Sequence, residues 1–348
     1  MNLNAEPTII GMANSLDLNV ECPVDAIMEY CRIRVRRFQR RARQITNVAQ
    51  LQDLVCKRLN LAVHEIWNDE SLEAVAAQFL DDGELAAFGA VKSQMQPDTF
   101  GMLLQLRRTT AKGKARFAAI IDCRGDKYLR RVFTLWHEIA HCLTAKDQLA
   151  LPLRRTTAEI IEKDPVEKLT DMIAGDFAFY EPLFRPILES ECRKDKRLTF
   201  RGVERIRDRF NSDASFVSTL HACVAKSQAP IVLVEAGMAL KKHEQVLVTT
   251  GRSKVTDFTP SLRVLRSTSN AAARAAMPHV PKQMRVPTDS VIAQIFSTTS
   301  IESGRNVHAL ENLRSWTTST GGGLTDLKVS VEARRWGDRV LALIAIAA

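Results

Sequence analysis

Residues 133–141, with the sequence FTLWHEIAH, predict a single helix. On an α-helix, which turns about 100° per residue, His137 and His141 lie about 40° apart, where two imidazoles can share a metal ion. Glu138 lies about 100° from His137, within reach of a water on that ion. The opposite side of the helix carries an apolar stripe, formed by Val132, Leu135, Ile139 and Leu143. The sequence therefore predicts a helix with a metal-binding face and a core face.

A catalytic zinc ion needs a third protein ligand and keeps one position for water. Glu167 and Asp171 offer carboxylates on a second predicted helix, which Asp164 caps and Pro165 opens. The two acidic side chains lie one turn apart opposite the apolar residues of that helix, so geometry admits either as the ligand. Asp164 and Glu167 also fit a simple capping box, and a short H-E-x-x-H pattern also arises by chance. We favour a zinc site because both helices supply donor residues.

The residues around this site resemble the ImmA/IrrE family of metallo-endopeptidases. The likeness rests on residues 130–141, RRVFTLWHEIAH, and on the later pattern Glu167-x-x-x-Asp171-x-x-Ala174. It covers roughly residues 95–180, is weaker to 226 and is not detectable beyond about 230. The family often ends its second helix with Leu-Leu-Met-Pro, whereas this chain has FAFYEP at residues 177–182.

This resemblance implies a gluzincin-like zinc peptidase core of the α+β class, in which a small mixed sheet carries the H-E-x-x-H helix and the third-ligand helix. It aligns Glu167 with the third ligand and leaves Asp171 to orient a ligand histidine. Zinc held by His137, His141 and Glu167 would acidify a bound water, with Glu138 as the general base. The implied substrate is a helix-turn-helix repressor, cleaved in a stress or mobile-element response. The ligand types alone also permit manganese or iron in place of zinc.

Composition predicts a protein without a membrane-spanning segment. The chain has 348 residues, 45% of them hydrophobic, which suggests two or three domains with ample cores. No apolar run approaches the roughly 18 residues of a membrane span, and residues 1–19 lack the pattern of a signal peptide. The seven cysteines occur singly, with no C-x-x-C pair, which favours a reducing, cytoplasmic location.

We predict three regions: a helical region at 1–60, a zinc metallopeptidase core with a helical extension at 61–228, and an α+β module of unassigned role at 229–348. Apolar patterns predict strands at 61–66, 86–91, 100–106 and 116–121, with a hairpin loop at 109–114. By analogy with other metallopeptidases, strand 115–121 would offer an edge to which an extended substrate adds. In the module we expect strands at 231–235, 245–249, 327–333 and 340–346, with a turn at 336–338.

A basic helix supports a second hypothesis. Residues 25–45 combine a narrow apolar seam with seven arginines between Arg32 and Arg43, and the chain has a net charge of +9. With the helical pair at 200–225, this pattern is also typical of a DNA-binding regulator in which the metal site is structural. We favour a solvated helix face with at most weak nucleic-acid contact, because one basic helix is a weak indication. Glu138 also favours an enzyme, since a structural metal site needs no base.

Overall fold

A computed structural model of the chain describes residues 2–40, 42, 44–106, 115–145, 153–156, 164–298, 306–317 and 322–347. The hairpin loop predicted at 109–114 lies outside these residues. The chain forms two compact units, one of residues 1–184 with 210–215 and one of residues 185–209 with 216–348. Helices and strands occur in both units, so the predicted α+β class is confirmed. The domain boundaries predicted at residues 60 and 228 stay predictions.

The first unit opens with three helices, α1 (Pro7–Ser15), α2 (Pro23–Gln39) and α3 (Val48–Leu59). Asn47 caps α3, its side chain accepting a hydrogen bond from the backbone N–H of Gln50 at 2.9 Å. The helix predicted over 25–45 ends earlier, at Gln39. Continuing it would stack further arginines one turn apart, and like charges at that spacing destabilise a helix.

A four-stranded mixed sheet follows, with β1 (Leu61–Ile66), β2 (Thr99–Gln105), β3 (Phe117–Asp122) and β4 (Leu153–Thr156). Its strand order is β1-β3-β2-β4, with β1 parallel to β3 and β2 antiparallel to both β3 and β4. The strand predicted at 115–121 as a substrate edge is therefore an interior strand, paired on both sides. That prediction was wrong because strand order depends on pairings between distant segments, which no local pattern encodes.

Helices α4 (Asp69–Asp81) and α5 (Leu85–Gln94) cover one face of this sheet. Their apolar side chains pack on those of the strands, as Phe79 and Val91 do with Met102 and Ile120. The strand predicted at 86–91 lies within α5, so this prediction was wrong. The buried residues of α5 are Ala87, Ala90 and Val91, which recur at helical spacing in an alanine-rich segment.

Two longer helices complete the first unit, and they carry the predicted donors: α6 (Arg131–Thr144) and α7 (Pro165–Ala178). Asp164 caps α7 as predicted, its side chain accepting a hydrogen bond from the N–H of Val166 at 2.8 Å, and Pro165 is the first helical residue. Helix α8 (Glu181–Asp195) follows α7 directly and contains Pro186.

The second unit is built on a five-stranded antiparallel sheet. Its elements in chain order are α9 (Phe200–Phe210), α10 (Phe216–Lys226), β5 (Ile231–Ala239), α11 (Lys242–Thr249), β6 (Ser261–Ser269), α12 (Ala271–Ala276), α13 (Val291–Ser297), β7 (Asn306–Asn312), β8 (Lys328–Trp336) and β9 (Arg339–Ile346). The strand order is β6-β5-β9-β8-β7. Val232, Val331 and Ile344 of the sheet pack with Ile292 and Trp316 in one core.

The strand predicted at 245–249 was wrong, because these residues form the end of helix α11. The Glu244 side chain accepts a hydrogen bond from the N–H of Lys241 at the start of this helix, at 2.8 Å.

The predicted turn at 336–338 joins β8 to β9, and Gly337 adopts a φ of +59° there, a conformation that glycine reaches without strain. None of the helices in the described ranges has both the length and the apolar character that crossing a membrane requires.

Candidate metal centre

Helices α6 and α7 pack against each other through aromatic side chains. Trp136 of α6 is fully buried and stacks on Phe177 of α7, with 5.4 Å between the ring centroids. Phe177 belongs to the apolar face predicted for α7, whereas Trp136 was not among the residues of the apolar stripe predicted for α6. The same packing brings the polar sides together, so that His137 of α6 lies within 3.0 Å of Glu167 of α7.

Two histidine rings and one carboxylate converge on a common point. Nε2 of His137 lies 3.2 Å from Nε2 of His141. Oε2 of Glu167 lies 3.0 Å from the first of these nitrogens, and Oε1 of Glu167 lies 3.3 Å from the second. Among the residues that the structure describes, these three form the one group of His, Cys, Asp or Glu whose donor atoms, all within 4.8 Å of one another, could hold a metal ion.

Asp171 contacts the other nitrogen of His137. Its Oδ1 lies 2.9 Å from Nδ1 of His137, whereas Nε2 of that ring faces Glu167. A carboxylate on Nδ1 fixes the tautomer and orientation of an imidazole and leaves Nε2 to bind a metal ion. Of the two carboxylates that the sequence left open, Glu167 therefore faces both Nε2 atoms and Asp171 faces only the outer nitrogen.

The group is buried on the α6 side and open on the α7 side. His137 and His141 are 1% and 4% exposed, whereas the side chain of Glu167 is 29% exposed. Burial raises the pKa of Glu167, but its hydrogen bonds with the two histidines and their charges outweigh burial and hold that pKa well below its ordinary value. Glu167 is therefore ionised, and a bound cation would replace the protons that the two histidines hold toward it.

These donors fit a divalent metal ion by type and by spacing. Two imidazole nitrogens and one carboxylate are a common ligand set of catalytic zinc sites. Tetrahedral ligands about 2.0–2.1 Å from zinc lie about 3.3–3.4 Å from one another. The two Nε2 atoms, 3.2 Å apart, come close to this value, and the two oxygens of Glu167 lie 3.0 Å from the first of them and 3.3 Å from the second. The donor types do not select among zinc, manganese and iron.

Glu138 is buried beside the donors, with its carboxylate against strand β2. A Cβ atom placed on Gly101 would lie 3.1 Å from Oε1 of Glu138 and only 2.5 Å from Cγ2 of Thr134. Glycine at position 101 therefore allows α6 to approach the sheet closely enough for the Glu138 carboxylate to rest on it. Gly101 was not predicted, although a glycine inside an apolar strand often marks such a close approach.

The arginines nearest the middle of α2 are engaged within the first unit. Nε of Arg32 lies 2.8 Å from Oδ2 of Asp176 on α7. Nη1 of Arg34 donates a hydrogen bond to the carbonyl oxygen of Leu143 on α6, at 2.7 Å. These two arginines of the predicted nucleic-acid surface therefore link α2 to both donor-bearing helices.

Arginines at the end of α2 face outward instead. Arg37 and Arg40 line a cavity of about 490 Å³ together with Phe38 and with Arg58 of α3. Arg41 and Arg43, which complete the predicted basic cluster, lie outside the residues that the structure describes. Of the arginines that the structure describes, Arg37 and Arg40 of the predicted cluster thus lie around one cavity together with Arg58.

No protein-family model and no curated protein matches this chain. The function of the centre therefore has to be inferred from the chemistry and geometry of its own residues.

Proposed function

We propose that this protein is a zinc-dependent endopeptidase of the ImmA/IrrE type, with a gluzincin-like core formed by the four-stranded sheet, α6 and α7. The observation that carries the proposal is the convergence of Nε2 of His137, Nε2 of His141 and the Glu167 carboxylate, with Glu138 buried next to them. A purely structural site needs no such base, and structural zinc sites more commonly have four protein ligands.

In this proposal His137, His141 and Glu167 would hold the metal ion, and Asp171 holds His137 in the tautomer whose Nε2 can bind it. When bound, the ion would supply Lewis acidity, making an attacking water more acidic and polarising the scissile carbonyl. The Glu138 carboxylate accepts a proton from that water and then delivers it to the nitrogen of the leaving amine. Close packing of α6 on Gly101 restricts the position of this carboxylate, so the base is held in place before substrate binds.

The proposed substrate is a helix-turn-helix repressor in the cytoplasm, whose cleavage would relieve repression. Support for this substrate comes from the resemblance of residues 130–141 and of the Glu167-to-Ala174 pattern to the family. Zinc is the proposed ion because the His-His-Glu set is typical of zinc peptidases.

Co-expression with a helix-turn-helix repressor encoded beside this gene tests the proposal. We expect a discrete repressor fragment with the wild-type chain and no fragment with Glu138→Gln at equal expression. Mass spectrometry of the fragment would locate the cleaved bond. If the repressor stays intact with metal-loaded wild-type protein, the proposed substrate class is wrong.

One observation favours the second hypothesis, a DNA-binding regulator. Arg37, Arg40 and Arg58 surround one cavity, and a cluster of this kind can contact phosphates. Such a protein would bind duplex DNA tightly, with a steep dependence on salt concentration, and would still bind it after His137→Ala. Binding measured at several salt concentrations, with Arg37→Ala/Arg40→Ala as the matched variant, distinguishes it from the peptidase.

A further inference from the structure

A second cavity, also of about 490 Å³, lies in the second unit beside the edge strand β6. Three cationic side chains line it: Arg266 of β6, Lys282 of the segment that follows α12, and Arg339 of β9. Ser267 lines it as well. We call this cavity the cationic groove and define it by these four residues.

The charge of the cationic groove is only partly neutralised by the protein. Glu235, the one carboxylate among its lining residues, forms an ion pair with Arg339. No ion pair joins Arg266 or Lys282 to an acidic residue within the described ranges of the chain. Two positive charges therefore remain for a ligand, and both belong to exposed side chains that can move toward it.

A hydroxyl group in the cationic groove lacks a protein partner. Oγ of Ser267 is shielded from solvent and makes no hydrogen bond with the described residues. A buried hydroxyl without a hydrogen-bond partner destabilises the folded protein. Rotation of the Ser267 side chain would turn this Oγ toward a ligand oxygen in the groove, and the resulting hydrogen bond would remove that penalty.

The segment that carries Lys282 is fixed against β6. Met277, Val280 and Met284 insert into the core of the unit, which leaves Lys282 between them at the surface. The N–H of Val264 donates to the carbonyl oxygen of Met284 at 2.9 Å, and the N–H of Gln283 donates to that of Val264 at 2.7 Å. The cationic groove is thus already formed without a ligand, which lowers the entropic cost of binding.

We infer that the cationic groove binds a small molecule through a phosphate group or a comparable dianion. Two uncompensated cations match a doubly charged group, and the fork of an arginine binds phosphate oxygens in pairs. Ser267 would donate a further hydrogen bond. The volume lies within the range of about 300–1,000 Å³ typical of small-molecule sites, so it can hold a phosphate ester as well as the free ion. This inference does not depend on the proposed peptidase activity.

Calorimetric titration of the full-length protein with inorganic phosphate, adenosine 5′-monophosphate and adenosine tests this inference. We expect both phosphate compounds to bind and adenosine not to bind. Tighter binding of the ester would show that the groove recognises an organic phosphate, and equal affinity would show that the phosphate group alone is recognised. Losing one charge-assisted contact typically weakens binding by about tenfold or more, so Arg266→Ala and Lys282→Ala should each do so.

Two further variants test the role of the hydroxyl and the location of the bound phosphate. Ser267→Ala should weaken phosphate binding without lowering the stability of the free protein, because its hydroxyl has no partner there to lose. Lys328→Ala removes an exposed lysine of the same unit that does not line the groove, and it should bind phosphate like the wild type. The inference is overturned if no phosphate compound binds at millimolar concentration. It is equally overturned if the Arg266→Ala/Lys282→Ala double variant binds as the wild type does, or if only duplex DNA binds.

Discussion

Each unit of this molecule places a glutamate near a histidine, but the pKa of the glutamate is lowered in the first unit and raised in the second. In the first unit Glu167 lies within 3.3 Å of Nε2 of both His137 and His141, and its pKa falls well below the ordinary value. In the second unit Glu332 on β8 lies directly across the sheet from His308 on β7, yet burial raises the pKa of Glu332 to about 7. The same two residue types thus yield an anion in one place and a titrating acid in the other.

The difference comes from what each histidine contacts. Nε2 of His308 lies 2.8 Å from Oγ of Ser330 and 2.8 Å from Nη1 of Arg197, so it does not offset the charge of Glu332. Among the residues that the structure describes, Glu332 accepts hydrogen bonds only from the N–H of Phe200, and these are long, at 3.3 and 3.4 Å. Neighbouring Glu and His residues therefore indicate a metal site only where their donor atoms converge, as they do between α6 and α7.

The largest expected effect concerns the base beside the converging donors. Glu138→Gln should keep its bound metal and lose proteolysis by about 100- to 10,000-fold, because the amide cannot accept the proton. His137→Ala should lose both the metal and the activity, since it removes a donor. Elemental analysis alongside a cleavage assay separates the two variants. A wild-type cleavage rate for Glu138→Gln would show that the assigned base is wrong.

The next largest effect is the loss of metal affinity, which should differ between the two carboxylates of α7. Asp171→Ala removes a contact to Nδ1 of His137, a loss that typically costs about 10- to 100-fold in metal affinity. Glu167→Ala removes a donor and should cost more. Competition against a graded chelator, on variants first shown to be folded by circular dichroism, measures this order. Should Asp171→Ala release its metal first, the centre is a His-His-Asp site.

The contrasting glutamate of the second unit predicts a dependence of stability on pH. The folded-state pKa of Glu332, about 7, lies above the ordinary value of 4.5, so the folded state binds the proton more tightly. The resulting stabilisation is complete below about pH 4.5 and is lost as the pH rises through about 7, up to roughly 3 kcal/mol. Glu332→Gln stays neutral and should lack this decline in urea unfolding experiments. Parallel pH profiles for the two proteins would contradict the raised pKa.

The smallest expected effect comes from the close contact between Gly101 of β2 and helix α6. Gly101→Ala would force a methyl group to within 2.5 Å of Cγ2 of Thr134, and such overpacking typically costs about 1–3 kcal/mol. Thr134→Ser deletes that Cγ2 methyl and retains the hydroxyl. The double variant should therefore be more stable than the sum of the two single changes predicts. Additive changes in the free energy of unfolding would mean that the two side chains do not meet.

The donor-bearing helices could be predicted because their signals are local. His137 and His141 lie one turn apart, and Asp164 and Pro165 mark the start of α7 within its own sequence. The strands misassigned at 86–91 and 245–249 are short apolar runs, whose periodicity is ambiguous between strand and helix. For the interior position of β3 there was no local signal, since it depends on pairing with strands far apart in sequence.

The cationic groove escaped prediction for the same reason. Arg266, Lys282 and Arg339 belong to separate segments that only the register of β6, β5 and β9 brings together. No spacing along the chain relates them, and each alone is typical of a solvated surface. The centre between α6 and α7 needed only two helices and a recognisable motif.

The contacts of α2 limit how far the protein can be truncated from its N-terminal side. A fragment that starts at residue 61 would still encode every proposed ligand and the base. It would nevertheless lose the arginines that link Asp176 of α7 and the end of α6 to α2, and it would uncover the surfaces on which the buried Ile27 and Leu51 pack. We expect such a fragment to be insoluble, so shortened proteins for crystallisation or assay should keep the first helices even though no catalytic group lies in them.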